Sequence, residues 1–364
     1  FINMCNIDRE NSIHRNNLKT IPVREAVGMV LAHDITEIRH NEFKGRAFKK
    51  GHIIRQEDIP KLLKIGKENI YVLEICEDEL HEDDAAYILA NALIGKGVKI
   101  ESEPKEGRIN IFADTDGLLK VNKSILFQFN LLGEVLCATL HSNRIVKKGE
   151  LVAATRVIPL LIKKEIIERA LKIINGFSVI EVKELRRPNV GIVITGNEVY
   201  YGRIQDAFAP IISKKIEDVK GKIIGIHFTP DDEIIIEAKL SELLDAGADL
   251  LIVTGGMSVD PDDVTRFAIE KLGASDITYG SAVLPGAMFL VAYIEKTQKR
   301  DKRQIPILGI PACGMYHKIT VFDLILPRIL AGEIIGRKEL AELGHGGLCQ
   351  NCKVCSFPNC TFGK

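Results

Sequence analysis

Net charge is the first thing this sequence lacks. Its 364 residues carry 49 Lys and Arg against 49 Asp and Glu, a formal charge of zero with His neutral. Such a balance supplies no long-range attraction to nucleic acid or to an anionic membrane surface, so neither is expected as a partner. Long hydrophobic runs are also missing. No apolar stretch approaches the roughly 20 residues that span a bilayer. The opening "FINMCNIDRENSIHRNNLK" is polar and lacks the apolar core of a secretory signal. Residues 1–18 therefore read as a disordered leader, and the chain as cytoplasmic. In that compartment the eight cysteines are not a disulfide framework.

What is present is ordinary in bulk and unusual in places. Hydrophobic content of 46% and charged content of 27% suit a soluble globular chain long enough for two or three domains. Residues 19–77 open with "PVREAVGMVLAHDI", where Val23, Val27, Val30 and Leu31 have helical spacing. A turn, a short helix capped by Gly66 and a strand follow. Residues 78–186 begin and end in helices, the second at Lys164 to Ile174, around β-like runs such as "GRINIFA" and "GELVAATRV". That pattern predicts a mixed α+β domain with barrel-like strands.

From residue 187 to 335 the pattern alternates. The apolar runs "VGIVIT", "KIIGIHF", "DLLIVT" and "IPILGIP" are separated by helical segments of about ten to fifteen residues. This predicts an α/β fold: a three-layer, mostly parallel sheet with helices on both faces, preceded by α+β regions. Such sheets bind ligands beyond the carboxyl ends of their strands.

Three of those ends carry unusual chemistry. The first is followed by Thr195, Gly196, Asn197 and Glu198. The third is followed by Gly255, Gly256, Met257 and Ser258, then Asp260, Asp262 and Asp263. The last is followed by Pro311, Ala312 and Cys313. Asp231 and Asp232 open the helix between the first two. Glycines at a strand end let backbone N–H groups approach an anion. Carboxylates beside a phosphate require a hard cation such as Mg²⁺ between them. Each aspartate taken singly also suits a helix cap, and the glycines a tight turn.

These segments resemble the molybdopterin-binding domain shared by molybdopterin adenylyltransferases and molybdopterin molybdenumtransferases, the latter most closely. "RRPNVGIVITGNEV" is similar to the family's RxPxVxxxxTGDEL, "TGGMSVDPDDVT" to its GGxSxxxxD, and "LGIPACGMYHK" to its GLPGNPxS. "SAVLPGAMF" resembles a proline-glycine strand of the family, and "VREAVGMVLAHDI" the opening helix of the molybdenumtransferase branch. The resemblance implies molybdenum-cofactor biosynthesis: Mg²⁺-dependent insertion of molybdate into adenylated molybdopterin with release of AMP. It implies that Glu198, Asp231 and Asp263 are catalytic, with Asp263 and Glu198 at the metal. Thr195, Gly196, Asn197, Gly255, Gly256, Ser258, Pro311 and Cys313 then bind the ligand. A homodimer and a molybdoenzyme acceptor are implied in the same way. The sequence departs from the pattern at Asn197, where the family has an aspartate, and at Ala312-Cys313, which replaces glycine-asparagine. "EFKGRAFKKGH" stands where the molybdenumtransferase has a "DRSAMDGYA"-type loop. Those departures favour the main alternative, a non-catalytic carrier or sensor of the cofactor serving a redox enzyme. A nucleotide hydrolase on the same fold is the other.

Residues 336–364 form a cysteine-rich tail. Cys349, Cys352, Cys355 and Cys360 have the spacing C-x2-C-x2-C-x4-C. The first three match the ligand run of ferredoxins, and four thiolates equally suit one zinc ion. The tail is expected to be mobile, or clamped only around a metal. His345 and His141 read as surface residues, with Arg46 and His52 further back in the chain, "FADTDG" with Asp114 and Asp116 as a turn, and Cys313 as a small buried residue. The basic loop from Lys44 to Lys50 is a candidate clamp for an anionic ligand if it folds over the site.

Overall fold

The computed structural model describes residues 18–39, 43–73, 77–257, 263–298 and 301–364. The expected leader (except residue 18), Cys5, Cys76, Ser258, Asp260 and Asp262 lie outside the described residues. The chain forms two compact units. One comprises residues 1–114, 121–140 and 149–181, and the other residues 115–120, 141–148 and 182–364.

In the first unit, Leu18–Pro22 pairs antiparallel with Asn69–Leu73 and Ile35–Arg39 with Phe43–Phe48. Val23, Leu31, Ile35, Leu62 and Ile70 share a small core there. The helix expected from Val23 to Leu31 is a single 3-10 turn, Val23–Glu25. Gly28 takes φ +87°, which ends helical geometry, and Met29 and Leu31 instead hydrogen-bond Ile54 and His52 through the backbone. Val27 and Val30, which helical spacing would bury, are exposed. The helices Glu82–Leu93 and Lys164–Ile174 form as expected. The strands between them make an open antiparallel sheet in the order Val98–Ile100, Arg108–Ala113, Leu151–Val157, Val135–Thr139. Its first and last strands have one neighbour each, so the sheet does not close into the barrel-like form expected.

The second unit is built on a six-stranded sheet in the order Lys222–Thr229, Asn189–Thr195, Leu250–Thr254, Asp301–Ile310, Leu290–Gln298, Ser275–Tyr279. The first four run parallel, and Leu290–Gln298 pairs antiparallel with both of its neighbours. Strand side chains alternate between two cores, as a period of two requires. Val190, Ile192, Ile194, Leu250 and Ile252 pack with Phe208 and Ile212 of the helix Phe208–Asp218 and with the helix Val321–Leu330. Val193, Leu251 and Val253 face the other way, against Ile236 and Leu240 of Glu233–Asp245 and Ala268 of Thr265–Lys271. Burial on both faces is why these strands read as unbroken apolar runs. This is the three-layer α/β architecture.

Connectivity locates the site. The chain leaves Asn189–Thr195 toward the edge strand Lys222–Thr229. It then returns past it to Leu250–Thr254, and leaves that strand toward the opposite edge. The two central strands thus send their connections in opposite directions, which opens a crevice at their carboxyl ends. Thr195 and Thr254 stand there. "SAVLPGAMF" is not a strand. It is the irregular segment that leads into Leu290–Gln298. No helix among the described residues is long and apolar enough to cross a membrane.

Candidate functional site

A cavity of about 680 Å³ lies at that crevice. Thr195, Glu198, Gly255, Gly256, Asp263, Pro311 and Cys313 line it, so seven sequence-selected residues from three separate loops meet at one place. Gly196, Asn197 and Asp231 are not among its lining residues.

The strand ends are locked by threonines. The Thr195 hydroxyl donates to the Thr254 carbonyl oxygen at 3.1 Å, and the Thr265 hydroxyl to the Gly255 carbonyl oxygen at 3.0 Å. Gly255 sits at φ +85°, and a Cβ there would meet the Thr195 carbonyl oxygen at 2.4 Å. Gly256, at φ +57°, would meet the Thr265 hydroxyl at 2.5 Å. Both glycines are required first by this packing, and only then by the close approach of a ligand to their other side. The hydroxyls of Thr229 and Thr254, at the ends of the two strands that flank Asn189–Thr195, are buried without a partner among the described residues.

Asn197 and Asp231 bind each other. The Asn197 N–H donates to Asp231 Oδ2 at 3.0 Å, and the Asp231 N–H donates to Asn197 Oδ1 at 3.4 Å. Burial pushes the Asp231 carboxyl upward, with the negative charges of Glu198 and Asp263 adding to it. Hydrogen bonds from Asn197 and Thr195 oppose the shift. The helix cap is Asp232, whose Oδ1 accepts from Ile234 and Ile235 N–H at 2.9 and 3.0 Å. Asp231 is thereby left free of capping. Cys313 is half-buried, and burial pushes its thiol up, so it is protonated at neutral pH.

Sequence reasoning missed part of the wall. Asp206 lines the cavity while accepting from Phe208 and Ala209 N–H at 2.9 and 2.8 Å, which occupies the helix N-terminus there. Phe208, Met257, Pro285, Met288 and Tyr316 supply an apolar wall. An Asp two residues before an apolar helix was a legible signal for the first. The described lining therefore holds three carboxylates, Glu198, Asp206 and Asp263, and no Lys or Arg.

Residues 191–331 match the family model described as "Probable molybdopterin binding domain". This segment belongs to the molybdopterin-binding domain family. Residues 20–74 match a separate model, "Domain of unknown function (DUF8806)". The chain is similar to the molybdopterin molybdenumtransferase of Haemophilus influenzae, 23% identical over 89% of this chain and 74% of that protein. It is also similar to a CinA-like protein of Mycobacterium avium, 40% identical over 26% of this chain and 21% of that one. It thus spans about a fifth of the length of the CinA-like relative. Among solved structures it resembles the tungsten cofactor synthesizing protein MoaB from Pyrococcus furiosus. That match has 17% identity and a TM-score of 0.32, over 40% of this chain and 97% of the other.

The remaining selected residues lie elsewhere. Arg46 pairs with Asp34 at 2.7 Å, Lys50 with Asp83 at 2.8 Å and His52 with Asp58 at 2.7 Å, all inside the first unit. His141 lines a different cavity, with Asp323 and Phe362. Asp116 accepts from Lys148 N–H at 3.0 Å in the expected turn. The tail is tied down by backbone hydrogen bonds, Cys349 N–H to Leu284 O and Leu284 N–H to Gly347 O, both 2.8 Å, while Phe362 is buried in the core. No group of three or more His, Cys, Asp or Glu among the described residues converges at metal-ligand distance.

Proposed function

We propose that the cavity binds molybdopterin by its phosphate tail across a Mg²⁺ ion, and that the chain inserts molybdate into adenylated molybdopterin with release of AMP. The observation that carries this reading is the lining: Glu198, Asp206 and Asp263, with no Lys or Arg among the described lining residues, at a glycine-rich strand end of the molybdopterin-binding family. A polyphosphate cannot rest against Glu198 and Asp263 unless a divalent cation lies between them. Mg²⁺ is ordinarily held by one or two carboxylates together with substrate phosphates and water. The donor set fits such a site, although no three His, Cys, Asp or Glu among the described residues form a metal-holding group by themselves. When bound, the ion would neutralise charge that develops on the phosphates as AMP leaves.

The chain's own residues do the rest. Gly255 and Gly256 bring backbone close to the phosphates, and the apolar side chains of Met257, Phe208 and Met288 face the body of the ligand and limit water. Asp231 acts as a positioning residue through Asn197 rather than by contact. A molybdate oxygen attacks the adenylyl phosphorus, the phosphoanhydride breaks with the pterin phosphate as leaving group, and water cleaves the resulting adenylyl-molybdate to AMP and molybdate. The two dithiolene sulfurs then bind molybdenum, and one molybdate oxygen leaves as water with the thiol protons. Orientation and electrostatics supply the catalysis, with no nucleophilic residue. A cytoplasmic homodimer that hands its product to a molybdoenzyme completes the proposal.

The alternative, a cofactor carrier without turnover, is favoured by one observation. Asn197, in place of an aspartate, is engaged with Asp231 and offers the metal no charge. Incubation of the protein with adenylated molybdopterin, Mg²⁺ and molybdate separates the two. Molybdate-dependent AMP release supports the transferase, and binding without AMP supports the carrier.

A further inference from the structure

We infer that Cys349, Cys352, Cys355 and Cys360 form a binding site for an iron–sulfur cluster. All four line a single cavity of about 650 Å³, distinct from the pterin pocket. Each is a free thiol, and Cys352 and Cys355 are exposed. Residues 349–364 form no helix or strand, so the segment has little architecture beyond what could be organised around these four side chains. Phe357 and Cys349 pack against the core below, and the Cys349 backbone is fixed to Leu284.

Two features choose among metals. A single tetrahedral ion draws its four sulfurs to about 2.3 Å from one point. The spacing C-x2-C-x2-C-x4-C keeps its first three ligands in the run of ferredoxins, whereas zinc sites more often come as two separated C-x2-C pairs. Charge agrees with thiolate ligation: His317, Lys318 and Lys353 line the cavity and no Asp or Glu does. A hard cation would call for carboxylates, whereas lysines offset the charge of an anionic thiolate cluster. The two cavities of this unit are therefore opposite in character.

They also touch. Tyr316 lines both, and Leu284 lines the pterin pocket while bonding Gly347 and Cys349 of the tail. The cluster thus belongs beside the pterin pocket, on the loop that walls it.

The full chain, reconstituted anaerobically with ferrous iron and sulfide, tests the site. The expected result is iron and acid-labile sulfide bound in equal amounts, with broad thiolate-to-iron absorption. The peptide spanning 349–360 becomes protected from alkylation. Cys352→Ser and Cys355→Ser, at exposed positions where folding is unaffected, each lose the iron. Zinc bound without sulfide, no iron bound, or iron retained in both variants would overturn the assignment. The reconstitution contains no pterin, so its failure and the failure of the pocket reading are separate outcomes.

Discussion

Asn197 and Asp231 are joined by a reciprocal pair of hydrogen bonds, each backbone N–H meeting the other's side chain. The pair explains how an asparagine is tolerated where the resemblance leads one to expect an acid: its carbonyl oxygen keeps the acceptor, and its neutrality spares Asp231 another negative neighbour. Asn197→Asp keeps the hydrogen bond and adds the charge. We expect it to lower stability at pH 7 by about 1 kcal/mol after solvent screening. The deficit should shrink as pH falls through the raised Asp231 pKa. Urea denaturation at two pH values reads this, and a deficit independent of pH would mean that charge repulsion is not its cause.

Gly255→Ala and Gly247→Ala make a matched pair. Both glycines have positive φ, +85° and +96°, but a Cβ meets Thr195 in the first and nothing within 4 Å in the second. Gly247→Ala should cost about 1 kcal/mol from backbone conformation alone. Gly255→Ala adds overlap worth about 1–3 kcal/mol. Equal losses in chemical denaturation would contradict the packing described at the strand end.

Asp232→Ala removes a helix cap and should cost about 1 kcal/mol while leaving ligand binding intact. Asp231→Asn keeps the acceptor for Asn197 and removes a carboxylate crowded by Glu198 and Asp263, so stability should hold or rise at pH 7. Thermal melts of the two variants, set beside their Mg²⁺ titrations, distinguish the neighbours.

Burial alone would raise the carboxyl of Glu333, but Lys120 at 2.6 Å and Arg328 at 3.0 Å outweigh it and hold it below the usual range. A depressed carboxyl contributes stability above its unfolded pKa, and the contribution is lost as pH falls through the folded value. Glu333→Gln should therefore be destabilised at pH 7 and approach the parent at acid pH. Because Arg328 is buried, the neutral-pH loss should reach about 3 kcal/mol. A difference independent of pH would mean the pair contributes no charge interaction.

Much of the second unit was legible because its parallel strands are buried on both faces, which leaves continuous apolar runs ending in glycine, threonine and acid. The antiparallel strands Ser275–Tyr279 and Leu290–Gln298 were not: the first is a half-polar edge strand, and the second turns polar after Ile294. In the first unit Gly28 defeated a helical spacing that four apolar residues had suggested. At the site, the sequence pointed to Glu198, Gly255 and Asp263, each adjacent to a strand or helix end. It could not show that Asp231 faces Asn197 across 34 positions while Asp232 takes the cap. Which of two adjacent aspartates turns inward is settled by tertiary packing.

The central claim is that a cation bridges a pterin phosphate to the carboxylates of this pocket. Titration calorimetry of adenylated molybdopterin, run with Mg²⁺ and then with EDTA, on the parent and on Asp263→Asn, tests it most directly. We expect tight binding that weakens at least about tenfold without the ion, and a variant in which that Mg²⁺ dependence is largely gone. Binding equally tight in EDTA, or a variant with undiminished Mg²⁺ dependence, would contradict it.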